Sequence, residues 1–109
     1  MAKKGFVALA ASLVMALGAT HAMADTQKGQ KFYLKTCKQC HGTGTKGAAM
    51  HTQAEWDEVF ANDGEKFIKG HEGVDGAERM LKFFPKIKDD LYDFLHFYGK
   101  DSGNVPSCG

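Results

Sequence analysis

The stretch TCKQCHGTG, Thr36 to Gly44, places two thiols three positions apart and an imidazole directly behind the second. One turn of helix separates Cys37 from Cys40, so both thiols and His41 project from neighbouring points of a single turn. Three chemistries use such a pair. A thioredoxin-like dithiol follows a β-strand, and no strand pattern precedes Cys37. A zinc site wants a second pair of ligands, and the remaining cysteine, Cys108, forms no recognisable pair with a distant histidine. The third chemistry fits: C-x-x-C-H is the attachment sequence of a c-type haem, whose two vinyl groups take the thiols while the histidine lies under the iron. Cys37 and Cys40 are therefore read as the thioether residues of one covalent haem c per chain, and His41 as its proximal ligand.

The rest of the chain has to be compatible with that reading. Lys3 and Lys4 precede GFVALAASLVMALGA, an uncharged run from Gly5 to Ala19, and Ala22 and Ala24 occupy the small-residue positions of an A-x-A-like cleavage site. Residues 1–24 read as a secretory signal peptide removed after Ala24, which implies export to the periplasm, the kind of compartment where haem is attached covalently in bacteria. Removing 24 of 109 residues leaves 85, one domain spanning 25–109. Without Lys3 and Lys4 twelve basic residues face thirteen acidic ones, a balance that gives no reason to expect nucleic acid as a partner. A chain this short buries a limited core and commonly leans on a disulfide, a metal or a cofactor. Cys37 and Cys40 are too close to close a useful loop, which leaves the cofactor.

No alternating β pattern of useful length occurs, and the fold class is all-α, with three to four helices expected around one haem. A helix is predicted from Thr26 to about Lys35, capped by Asp25 or Thr26, with Gly29, Phe32, Tyr33 and Thr36 on one side. Gly42 to Met50 has three glycines and no apolar period, and reads as an irregular loop. Thr52 and Glu55 form a capping box ahead of Trp56, Val59 and Phe60, a short second helix. Four glycines between Asp63 and Gly76 predict repeated turns, and AERMLKFF a third helical piece. Pro85 fits the first position of a last helix whose stripe is Ile87, Leu91, Phe94, Leu95 and Tyr98. Gly99 ends it, and an aperiodic tail follows from about residue 100.

Gly29 four residues before Tyr33, then CKQCHG, then DLYDFLHFY with Phe94 as a crossing aromatic, together make the chain resemble a class I cytochrome c over nearly its whole mature length. The resemblance implies that the first and last helices cross closely at Gly29 and that the haem fills the middle of the core. It departs from the family in two places. Ala48 stands near where family members have the proline whose carbonyl accepts the proximal imidazole's N–H, and the methionine-proline pair of the distal loop is missing. On the family pattern the distal ligand is a methionine before the last helix, which assigns Met80, the only methionine after Met50. His71, in the glycine-rich KGHEGVDG, is the alternative distal ligand. Trp56 is read as either core or a donor to a haem propionate, while Met50, His51 and His96 are read as structural.

These readings add up to a periplasmic monohaem c-type cytochrome, a single-electron carrier and not an enzyme. The expected partners are periplasmic or membrane-bound redox proteins that dock transiently on a monomer, with no stable membrane insertion after the signal is cleaved. The alternative is a gas- or small-ligand-binding haem protein with an open or labile sixth position. Cys108 has no cysteine left to pair with once the haem takes two. Cys108→Ser is expected to leave haem attachment unchanged, and the native protein to run as a monomer in non-reducing electrophoresis.

Overall fold

The computed structural model describes residues 25–107; the expected signal segment and Cys108 lie outside the described residues. Helices account for the regular structure there: α1 (Thr26–Thr36), α2 (Lys38–His41), α3 (Gly44–Ala48), α4 (Gln53–His71) and α5 (Glu78–Phe97). The long helices are α1, α4 and α5, and α5 packs against both of the others. No described helix is long and apolar enough to cross a membrane.

Helix α1 starts where its cap predicts. The Asp25 carboxylate accepts the N–H groups of Gln27 and Lys28 at 3.0 and 3.1 Å, satisfying two of the donors that a helix start leaves free. Gly29 and Tyr33, four apart on one face, are buried against α5. The helices approach so closely that a Cβ at residue 29 would lie 2.0 Å from the Asp90 carbonyl oxygen and 2.8 Å from Phe94 Cβ. Phe94 has no exposed surface, and its ring is 5.7 Å from that of Tyr33.

The capping box at α4 is complete: the Thr52 hydroxyl accepts the Glu55 N–H at 3.2 Å and the Glu55 carboxylate accepts that of Thr52 at 2.8 Å. This also holds the Glu55 carboxyl below the usual carboxylate range, the Thr52 N–H being the largest cause. The helix does not stop where the glycines suggested. Asn62, Asp63 and Gly64 have φ of 54°, 57° and 78°, a left-handed turn inside α4 after which the chain is helical again as far as His71. Asn, Asp and Gly are the residue types that tolerate that region. The second half is helical because Phe67 is fixed from two sides, its ring 5.3 Å from Phe60 and stacked at 4.4 Å on Phe84. Repeated turning is confined to the stretch after His71, where Gly73 and Gly76 have positive φ.

Two further expectations are corrected. Gly42–Met50 contains the short helix α3, because the Thr43 hydroxyl caps the Lys46 N–H at 3.3 Å. The expected third piece and last helix are one, α5, with Pro85 in its interior and not at its start. Met80 and Phe84 continue the buried stripe of Leu91, Phe94 and Leu95 across the proline, which sits on the exposed face. The packing of that stripe overrides the hydrogen bond Pro85 cannot donate. Gly99 does follow the helix, but its φ is not positive. Its lack of a side chain serves close packing, since a Cβ there would meet the Gln53 backbone nitrogen at 3.2 Å. The tail is tied back: Asn104 Nδ2 donates to the Phe97 carbonyl, Gln30 Nε2 donates to that of Ser107, and Pro106 is buried.

Gly29→Ala has no side chain on the far side able to yield, because the obstructing atom is a backbone oxygen. The helices must move apart, at a cost of about 3 kcal/mol, the upper end for overpacking. Urea unfolding should show the midpoint lowered at unchanged slope.

Candidate functional site

Helix α1 delivers the chain into the site. Cys37 closes α1, its N–H donating to the Tyr33 carbonyl at 2.8 Å, and at once opens α2, its carbonyl accepting from Cys40 and His41 at 3.2 and 3.0 Å. The C-x-x-C-H residues thus form one helical turn, as their spacing predicts. Gly42 then leaves the turn with φ 81°, a value that favours glycine. The Tyr33 hydroxyl donates to the carbonyls of Gly42 and Thr43 at 2.8 and 3.0 Å, sewing the exit of the turn to α1. Burial, and secondarily Cys37, push that phenol up to about 12, so it remains a donor.

Cys37 is half-buried and Cys40 exposed. Burial pushes the Cys37 thiol up, partly opposed by the Thr36 hydroxyl 3.4 Å away. Burial, then the neighbouring His71, hold the His41 imidazole below its ordinary value, which favours the neutral form a metal needs.

Two cavities meet at this turn. The first, of about 230 Å³, lies between the C-x-x-C-H turn and the start of α5, with Cys37, Cys40, His41, His71 and Met80 on its wall. The second, of about 250 Å³, runs inward to Trp56, Leu91 and Leu95 and is mostly apolar. Cys37, His41, Gly70 and His71 border both. Every residue assigned to the site from sequence is therefore brought together: the two thiols and His41 on one side, His71 from the end of α4 and Met80 from α5 on the other. Met80 is 4% exposed.

A family model described as cytochrome c oxidase, cbb3-type, subunit III matches residues 24–95. The chain belongs to this family of c-type cytochromes. No curated protein and no solved structure matches it. A c-type cytochrome domain implies a c-type haem, and the residues here fit one: two thiols on one turn, an imidazole beside them, and a cleft with apolar walls continuous on either side of that imidazole. In this c-type cytochrome Trp56 is core rather than a free donor. It is buried, and its indole N–H donates to the Ala48 carbonyl at 2.9 Å. Ala48 has no exposed surface, so the indole satisfies a carbonyl that water cannot reach. Met50 is largely exposed, and His51 packs edge-on against Trp56.

Sequence reasoning missed two contributors. Gly47 packs under the Tyr33 ring, where a Cβ would come within 2.1 Å of the hydroxyl oxygen. Phe67 supports His71 twice, through its carbonyl, 2.7 Å from Nδ1, and through its ring, 4.5 Å away by centroid. The second was legible only once 65–71 is known to be helical, since the bond spans four residues.

Trp56→Phe keeps an aromatic side chain of smaller size and leaves the Ala48 carbonyl without its donor. The expected loss is about 1–3 kcal/mol of folding stability, read by denaturant unfolding.

Proposed function

We propose that the chain is an exported monohaem cytochrome that carries single electrons between larger redox proteins. The observation that supports this most is the single helical turn holding Cys37, Cys40 and His41 at the mouth of an apolar cleft. When bound, the haem supplies one-electron chemistry at its iron. The chain's own residues do the rest. Cys37 and Cys40 would tether the group by thioether bonds, each thiol adding its S–H across one vinyl substituent, and His41 would supply a nitrogen to the iron. Phe67, Leu91, Leu95 and Trp56 keep water from the inner face, and a water-poor surrounding lowers the rearrangement needed when charge at the centre changes. Cys40 lies at the exposed edge, where a partner would approach through a small, transient contact.

Export and cleavage after Ala24 belong to the same proposal, and one contact supports them. The Asp25 nitrogen is 3.1 Å from the Asp90 carboxylate. Cleavage would turn that amide into an ammonium facing a carboxylate, while the Asp25 side chain goes on capping α1. A removed leader would therefore place an ion pair where the unprocessed chain has an amide-to-carboxylate hydrogen bond.

The protein purified from a host that matures c-type cytochromes is expected to begin at Asp25 and to exceed the mass of residues 25–109 by one haem. It should keep its colour through acid-acetone extraction. Cys40→Ala and His41→Ala should accumulate little holoprotein, and folded, haem-free protein at normal yield would rule the reading out.

A further inference from the structure

We propose, resting on the covalent-haem reading above, that His71 is the sixth ligand, so that the iron is held between two imidazoles and Met80 is a wall of the cleft. Three independent features of the structure carry this.

The first is position. The rings of His41 and His71 are 6.1 Å apart by centroid, with 77° between their planes. Metal–imidazole bonds of about 2 Å put two trans nitrogens about 4 Å apart and, each ring centre lying about 1 Å further back, the ring centres about 6 Å apart. The separation of the two ring centres matches what two imidazoles sharing one metal would require.

The second is the proton. The Phe67 carbonyl, 2.7 Å from His71 Nδ1, can only accept, so Nδ1 carries the hydrogen. In the neutral ring the lone pair then belongs to Nε2. This is the orienting bond that metal-bound histidines characteristically make, a backbone carbonyl fixing both tautomer and ring direction. The Phe67 ring against His71, itself stacked on Phe84, adds a second restraint.

The third is the shape of the cleft. A flat macrocycle perpendicular to the line joining the two rings extends to both sides of that line. Two cavities adjoin these rings, and His41 and His71 are among the four residues that border both. Met80 borders the first cavity only, and it belongs to the buried apolar cluster with Phe84 and Ala77. Its side chain is placed to pack against one face of the cleft, and no contact comparable to the Phe67 carbonyl aims its sulfur.

The consequence is a lower reduction potential than a methionine-histidine iron would have, since thioether ligation raises it, and a sixth position filled by the protein. The test uses the full haem-loaded chain, after a haemochrome assay and mass measurement have established covalent haem. Ferric electron paramagnetic resonance and near-infrared magnetic circular dichroism should give a low-spin, bis-nitrogen iron with no methionine-to-iron band, and the ferrous protein should not bind carbon monoxide readily. Met80→Leu should leave the bis-nitrogen coordination seen in that spectrum unchanged. His71→Met should raise the potential and create the methionine band, and His71→Ala should bind carbon monoxide. A methionine band in the unaltered protein would overturn the assignment, as would a high-spin ferric iron. Both readouts come from the unaltered chain, so a variant that fails to fold does not remove the test. Covalent haem with either result sinks His71 alone, whereas absence of covalent haem sinks the electron-carrier reading beneath it.

Discussion

The placement of the C-x-x-C-H turn against the rest of the site depends on the crossing of α1 and α5 at Gly29. The Asp90 carbonyl occupies the place a side chain at residue 29 would take, so the two backbones touch and no other residue type permits the same approach. That contact sets Phe94 against Tyr33. Tyr33 in turn lies over Gly47 and ties off the end of the C-x-x-C-H turn. A shift of α1 along α5 would carry the thiols with it while His71, on α4, stayed behind. The crossing therefore fixes the distance across the cleft as well as the core.

A domain this small has few ways to bury apolar area, and the fold spends much of what it has on lining a space. The rings of Phe60, Phe67 and Phe84 pack mutually, with centroids 4.4 to 5.9 Å apart, and Phe67 carries that cluster to the wall of the inner cavity. Leu91, Leu95 and Trp56 close its inner end. A large apolar group seated there would add contacts to all of these walls. Each thioether would also restrict the unfolded chain and keep the group from leaving. The same residues that make the site would thus supplement the limited core that so short a chain can build.

What could be read from sequence divides by the range of the forces involved. The C-x-x-C-H turn, the Asp25 cap and the Thr52 and Glu55 box depend on residues within four positions, and all three form as expected. The Gly29 crossing was legible through resemblance alone, since nothing local says what lies 2.0 Å from a glycine. The errors were tertiary. Propensity places Pro85 at a helix start, while the buried stripe from Met80 to Leu95 carries the helix straight through it. Phe67 and Ile68 were too few to signal a helix among four glycines, and it is the stacking of Phe67 on Phe84 that makes one. The choice between Met80 and His71 was open for the same reason, because both stand at plausible distances along the chain and only packing separates them.

The nearness of His71 to His41 traces to the left-handed turn within α4. A straight helix from Gln53 to His71 would rise about 27 Å and carry its last residue well past the core. Asn62, Asp63 and Gly64 redirect it, and Gly64 does so against the Phe84 ring, which a Cβ would approach to 2.7 Å. The redirected half lays Phe67 on Phe84, and one helical turn later the chain presents His71 to His41. Three residues that look like a helix terminator thus place an imidazole over the C-x-x-C-H turn, and the glycine among them is required both by its φ and by the ring it faces.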